Sequence, residues 1–206
     1  MEISFLGANA VALNTKTAKI LVDPSVPGVK VDSGRANIIL LTHPQEIKVK
    51  VDRLLIDTPG EYEVKLVSFK GIPARSHMDE AGKHSATMYR IDSADARVGI
   101  IGHIYPDLSD EQLEALGTLD ILVIPVGGNG YTLDDEGAAK VVRQIEPKIV
   151  IPVHYADPAV KYEVPQAELK EFIDEIGGPV QEAQQYKAKS GEYPEQMTIV
   201  TLSRTA

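Results

Sequence analysis

The chain of 206 residues is 43% apolar and 25% charged, with a net charge of −9; this is an ordinary globular composition whose negative balance disfavours a broad nucleic-acid or anionic-membrane surface. It contains no cysteine, which excludes disulfides, thiolate metal ligands and a cysteine nucleophile. No apolar run approaches the roughly 18 residues of a membrane span, and the N-terminal MEISFLGANAVAL has no basic leader, so a cytoplasmic protein is expected, built as a single domain over residues 1–206.

The first half reads as strands. Apolar, β-branched runs occur at Ile3–Leu6, Ala18–Val22, Ile38–Leu41, Leu54–Ile56, Val64–Phe69, Thr87–Ile91 and Val98–Ile101, separated by turn-forming DPSVPG, DSGRAN and DTPGEY. IKVKV, Ile47 to Val51, alternates as a strand with one wet face does. The second half alternates helix and strand. Ser109 and Gln112 form a capping box for a short helix. ILVIPV, Ile121 to Val126, is a buried strand. Thr132 is placed to cap the next helix, with Asp134, Asp135 and Glu136 in its first turn and Ala138, Val141, Val142 and Ile145 on its apolar face. KIVIPV, Lys148 to Val153, is another buried strand. A third helix is predicted from near Pro165 to Gly177, burying Leu169, Phe172, Ile173 and Ile176, and MTIVTL, Met197 to Leu202, closes the series. Strands followed by alternating strands and helices imply a layered α/β sandwich.

Three of the five histidines share one context: NIILLTH, RVGIIGH and KIVIPVH each end an apolar run with His43, His103 or His154. Ligands bind beyond the carboxyl ends of strands in open α/β sheets, so the three imidazoles are candidates for one shared metal crevice. His77, in the polar loop ARSHMDEAGKH, is a candidate fourth member; His84 reads as a surface residue. For one such histidine alone, a backbone-bonded structural role is the simpler reading, and the repetition is what favours a site.

Several blocks resemble the metallo-β-lactamase-fold metal-dependent hydrolases, in particular a small bacterial and archaeal branch. ISFLGANAVAL and ILVDPS look like that family's opening hairpin and Asp-Pro turn. TPGEYEV, GIPARSHMD and IPVGGNGYTLDDEGAAKVVRQIEPKIVIPVHY match the branch closely, the last over a dozen or more positions in register. The resemblance implies a four-layer αβ/βα sandwich: two mixed β-sheets packed face to face, with helices outside. It also implies a two-metal site, usually zinc, that acidifies a bridging water and polarises the scissile group.

The family signature His-x-His-x-Asp-His does not survive here. Aligned on His43, its later positions hold Gln45, Ile47 and Lys48; the bridging Asp of a Gly-Asp pair is His103 of Gly102-His103; and the helix after the signature is replaced by IKVKV. The pattern argues against two metals. It allows one zinc or manganese ion on His43, His77, His103, His154 and the carbonyl oxygen of Gln45, and it allows none. As catalytic groups, His103 is the candidate general base and Lys48 the candidate oxyanion stabiliser, with Asp79 and Glu61 as spare carboxylates. Asp23 reads as a turn carboxylate. The expected function is a metal-dependent hydrolase of a small substrate such as a phosphate ester or lactone; the alternative is an inactive relative that binds a ligand or serves assembly, including as a homo-oligomer. No nucleic-acid or membrane partner is expected.

Overall fold

The computed structural model of the chain describes residues 1–32, 36–47 and 53–205. The early strands β1 (Glu2–Gly7), β2 (Ala10–Asn14), β3 (Lys19–Val22), β4 (Ile38–Leu40) and β5 (Leu54–Ile56), with β13 (Tyr186–Lys187) from late in the chain, form a six-stranded sheet of order β13-β1-β2-β3-β4-β5. It is antiparallel from β13 to β3 and parallel from β3 to β5. The second sheet has eight strands: β6 (Gly60–Val64), β7 (Val67–Ala74), β8 (Ala86–Asp92), β9 (Arg97–Ile100), β10 (Ile121–Pro125), β11 (Ile149–Val153), β12 (Val180–Ala183) and β14 (Thr198–Leu202), in the order β12-β14-β11-β10-β9-β8-β7-β6. Its β9–β10–β11 centre is parallel, so the carboxyl ends of β9 and β11 open on the same edge.

The two sheets face each other, and strand periodicity decides what fills the gap. Ile3, Phe5, Val11, Leu13, Ile20 and Val22 on one side meet Tyr89, Ile91, Val98, Ile121, Val123 and Ile151 on the other, all buried. The intervening residues of the central strands, Leu122, Ile124 and Val150, turn to the opposite face and are buried there against Leu116, Val141, Val142 and Phe172. Burial on both faces is why β10 and β11 are uninterrupted apolar runs rather than alternating ones, each buried aliphatic side chain contributing about 1.5–3 kcal/mol.

The helices are α1 (Asp110–Leu116), α2 (Asp135–Ile145) and α3 (Leu169–Ile176). The predicted Ser109–Gln112 capping box closes α1. All three pack on the outer face of the eight-stranded sheet; among the described residues the six-stranded sheet carries no helix. The α/β sandwich of two mixed sheets is thus the observed fold. No described helix is long and apolar enough to cross a membrane.

Three local expectations change, and a fourth lies mostly outside the described residues. The run Val64–Phe69 is two strands, β6 and β7, joined by a turn in which Lys65 and Leu66 both have positive φ, 53° and 62°. Asp134, not Thr132, caps α2, its side chain accepting from the Gly137 N–H at 2.8 Å. The third helix begins at Leu169 rather than near Pro165, because the Ala167 N–H is drawn to the Gly127 carbonyl at 2.8 Å. Ile47 lies outside any strand, and the rest of IKVKV, with Lys48, lies outside the described residues.

Candidate metal-type cleft

The strand ends deliver three of the predicted histidines to one place. β4 runs through Leu41 and Thr42 into His43, β9 through Ile101 and Gly102 into His103, and β11 directly into His154. The sheets are tied at this edge: the Thr87 N–H donates to the Thr42 carbonyl at 2.8 Å, and the Tyr89 hydroxyl reaches the Leu41 and Ile56 carbonyls at 3.0 and 3.2 Å. Gly102 has φ 66°, and a Cβ there would meet the Thr42 Cβ at 2.5 Å, so only glycine lets the β9 end approach the β4 end this closely. His154 is itself left-handed at φ 53°, a conformation that costs a non-glycine residue roughly 1–2 kcal/mol. Its N–H donates to the Ala8 carbonyl in the β1–β2 turn at 2.9 Å.

The His103 ring stands edge-on between the other two, with centroids 4.8 Å from His43 and 4.6 Å from His154. Hydrogen-bond logic fixes the tautomers of the flanking rings. The Thr42 hydroxyl gives its one proton to Asp23 Oδ2 at 2.6 Å, so toward His43 Nδ1, 3.2 Å away, it can only accept. The amide of Gln166 donates from Nε2 to the Val164 carbonyl at 3.0 Å, which turns Oε1 to His154 Nδ1 at 3.1 Å. Both rings therefore carry a proton on Nδ1, which leaves Nε2 as the nitrogen not engaged by these partners. His103 Nδ1 is buried with no partner, and so is His77 Nδ1.

Burial, reinforced by the neighbouring His154 and His43, holds His103 well below the ordinary histidine range. Burial likewise takes His154 down to about 4, against the pull of Gln166. Both rings are neutral at pH 7. Asp23 is pushed up by burial, against the opposing effects of His43 and of the hydrogen bonds from Thr42 and Gln45.

The cleft encloses about 220 Å3 and is lined by Asn9, Asp23, His43, Gln45, His103 and His154, with Tyr131, Tyr162, Glu163 and Gln166 at its walls. The other predicted site residues fare differently. Gln45, expected to offer a carbonyl oxygen, spends its amide on the fold: Nε2 donates to Asp23 at 2.8 Å and Oε1 accepts from the Ser25 N–H at 3.3 Å. His77 does not line the cleft; its backbone N–H donates to the His103 carbonyl at 3.1 Å and its ring lies 5.9 Å from that of Tyr105. Lys48 lies outside the described residues. Asp79 is saturated within its own loop by Ser76 and Ser85, and Glu61 is exposed in a separate groove beside Lys70. Asp23 is the turn carboxylate that the sequence suggests, accepting from the Thr42 N–H at 2.9 Å. Asn9, Thr42 and Gln166 carry no motif in the sequence. Asn9 hides in an ordinary turn tripeptide, and Gln166 reaches His154 only through the third-helix approach that starts later than its pattern suggests.

A family model described as a β-lactamase superfamily domain matches residues 2–154. The chain belongs to the metallo-β-lactamase superfamily. A UPF0173 metal-dependent hydrolase of Lysinibacillus sphaericus is 30% identical over 196 residues, covering 75% of this chain and 85% of that protein. A relative of the same name from Natranaerobius thermophilus is 29% identical over 191 residues, covering 75% and 83%. Among solved structures, a candidate Zn-dependent hydrolase of the metallo-β-lactamase superfamily from Thermotoga maritima superposes with a TM-score of 0.80 at 23% identity, covering 98% of each chain.

Membership in this superfamily implies a metal ion, and the cleft can be tested for one. Its carboxylate Asp23 already serves Thr42 and Gln45, so the described donors it offers are the imidazoles of His43, His103 and His154. For one ion the donor chemistry fits, since neutral imidazoles with oriented Nδ1–H groups are what a divalent ion takes. Among the described residues, however, no three His, Asp or Glu side chains gather round one point. A single ion would therefore have to draw the rings of His43 and His154 together beside His103.

Proposed function

We propose that this superfamily member is a hydrolase of a small ester, either a phosphate ester or a lactone, working with one zinc or manganese ion rather than two. The observation that carries the reading is the pair of imidazoles His43 and His154, each anchored through Nδ1, on either side of His103, whose Nδ1 is buried without a partner. Imidazoles gathered in a low-dielectric cleft, with a buried ring nitrogen left unpaired, call for a proton or a cation. A bound ion would polarise the scissile group and make water more acidic. The chain's own residues do the rest. His43 and His154 hold fixed tautomers through Thr42 and Gln166. His103, neutral at pH 7, accepts a proton as general base. Lys48 is assigned the oxyanion role on its chemistry alone.

The test is elemental analysis of tag-free protein before and after incubation with zinc or manganese. One ion per chain is expected, lost in His43→Ala, with a rise in thermal stability on loading because a ligand of the native state must stabilise it. Absence of metal at every concentration, with unchanged stability, removes the hydrolase reading. The second reading, a non-catalytic relative whose pocket binds a ligand, draws on the Gln45 amide being committed to Asp23 and Ser25 and on the absence of a gathered ligand triad among the described residues. It predicts saturable binding of small molecules without turnover of phosphodiesters or lactones.

A further inference from the structure

Asn9 is a side chain that the fold leaves unexplained. It sits in the turn between β1 and β2, is 7% exposed and lines the cleft. Neither Nδ2 nor Oδ1 has a hydrogen-bond partner. A buried carboxamide with both ends unmade costs stability that a leucine of the same shape would not. Its place is well defined: the preceding residue, Ala8, is fastened through its carbonyl to the His154 N–H at 2.9 Å. Asn9 is therefore a cleft-lining residue beside the imidazole cluster whose carboxamide holds a buried donor and a buried acceptor, both unpaired.

The charges around it narrow what it can read. Among the described residues lining the cleft, the charged side chains are Asp23 and Glu163; no Lys or Arg is present. One divalent ion would offset those two carboxylates, and no described lining residue would then neutralise a phosphate dianion. A phosphate also has only acceptors, so it would use Nδ2 of Asn9 and leave Oδ1 facing negative oxygen. An uncharged compound with a carbonyl next to an O–H or N–H satisfies both ends at once.

We infer that Asn9 is the specificity-determining residue of the cleft and that it selects an uncharged carbonyl compound bearing an adjacent hydroxyl or N–H, such as a hydroxy-lactone or hydroxy-ester, over any phosphate ester. This rests on the hydrolase reading only for the fate of the ligand, not for its binding. The cleft's volume of about 220 Å3 leaves room for a single small ring.

The probes are α-hydroxy-γ-butyrolactone, γ-butyrolactone, which lacks the hydroxyl, and inorganic phosphate. The readout is the side-chain amide resonance of Asn9 in 15N-labelled protein, identified by its loss in Asn9→Leu. The hydroxy-lactone is expected to shift that resonance saturably, γ-butyrolactone to bind about tenfold more weakly for want of one hydrogen bond, and phosphate to leave it unmoved. Asn9→Leu is expected to lose the preference between the two lactones while melting at the same temperature as the parent or higher. A resonance that phosphate moves as readily, or that no probe moves, overturns the inference, and so does a lower melting temperature in Asn9→Leu, which would make Asn9 a structural residue. The two readings fail separately. Turnover of p-nitrophenyl phosphate that is lost in His43→Ala but kept in Asn9→Leu sinks this inference and spares the hydrolase. Saturable hydroxy-lactone binding without hydrolysis of any ester does the reverse.

Discussion

Two loops at the same edge of the eight-stranded sheet treat their polar groups in opposite ways. In the Ala74–Ala86 connection, Asp79 takes the N–H groups of Ser76 and Ser85 at 2.9 and 2.8 Å and the Ser85 hydroxyl at 2.8 Å, with Lys83 at 3.7 Å. Its own carbonyl receives two N–H bonds from Arg75, whose guanidinium lies 3.9 Å over the Tyr105 ring. At the mouth of the sandwich beside it, the cleft leaves the Asn9 carboxamide and His103 Nδ1 buried and unpaired. Around Asp79 the first loop is finished by folding alone, although its His77 Nδ1 stays unpaired. The second keeps bonding capacity in reserve, which native interiors rarely tolerate without a reason. This contrast separates structural from functional polarity more sharply than residue type does, since a carboxylate is the more reactive-looking group and is here the inert one.

The largest expected effect breaks the contrast from the cleft side. His103→Asp puts a carboxylate between two imidazoles without a cation. In chelator-treated protein it should cost about 3 kcal/mol, the scale of an uncompensated buried charge, and added zinc should restore most of the loss, as binding to the native state requires. Urea unfolding with and without zinc measures both. If stability is unchanged and zinc has no effect, the cleft is not built to receive a cation.

The next effect comes from the finished loop. Asp79→Ala removes the acceptor for two backbone N–H groups and should cost about 2 kcal/mol, with the zinc response of the cleft intact. Its pH dependence has a definite sign. Burial alone would raise the Asp79 pKa, but the hydrogen bonds from Ser85 and Ser76, with Lys83, bring it from 3.8 to about 2. A carboxylate depressed in the folded state adds stability above its unfolded value and loses it as pH falls through the folded one. The stability gap between the parent and Asp79→Asn should therefore be constant above pH 4 and close between about pH 4 and pH 2. A gap that persists at pH 2 would mean that the loop is held by something other than the ionised carboxylate.

How much of this could be read beforehand depended on whether the signal was periodic or a matter of tertiary contact. β10 and β11 were legible because both their faces are buried, and the three strand-end histidines because one context recurs three times. The β6–β7 turn was not: Lys65 and Leu66 occupy left-handed positions that Asn-Gly usually announces. β12 is almost wholly exposed and β13 is two residues long, so neither offers an apolar period. In the site, the resemblance pointed to the histidines but could not reveal that Gln45 would brace Asp23, nor that Gln166, twelve residues beyond His154, would set its tautomer. Those pairings exist only once the chain is folded.

The smaller effects sharpen the comparison away from the chemistry. Ser109→Ala removes the bond from the Gln112 N–H at 3.3 Å and should cost α1 about 1 kcal/mol, without moving any imidazole resonance. Thr132→Val is the opposite kind of change. Thr132 and Asp134 are both good capping residue types, and sequence alone cannot choose between them. Burial of Leu133 and the bond from the Gly128 N–H to the Leu133 carbonyl at 2.9 Å decide for Asp134 and strand the Thr132 hydroxyl in the interior. Valine matches threonine in shape and brings no polar atom, so the substitution should leave stability within about 0.5 kcal/mol of the parent or raise it. A loss of 1 kcal/mol or more, read from urea midpoints at constant slope, would show that the hydroxyl is bonded in solution and that Thr132 belongs with the satisfied loop rather than with the reserve around Asn9 and His103.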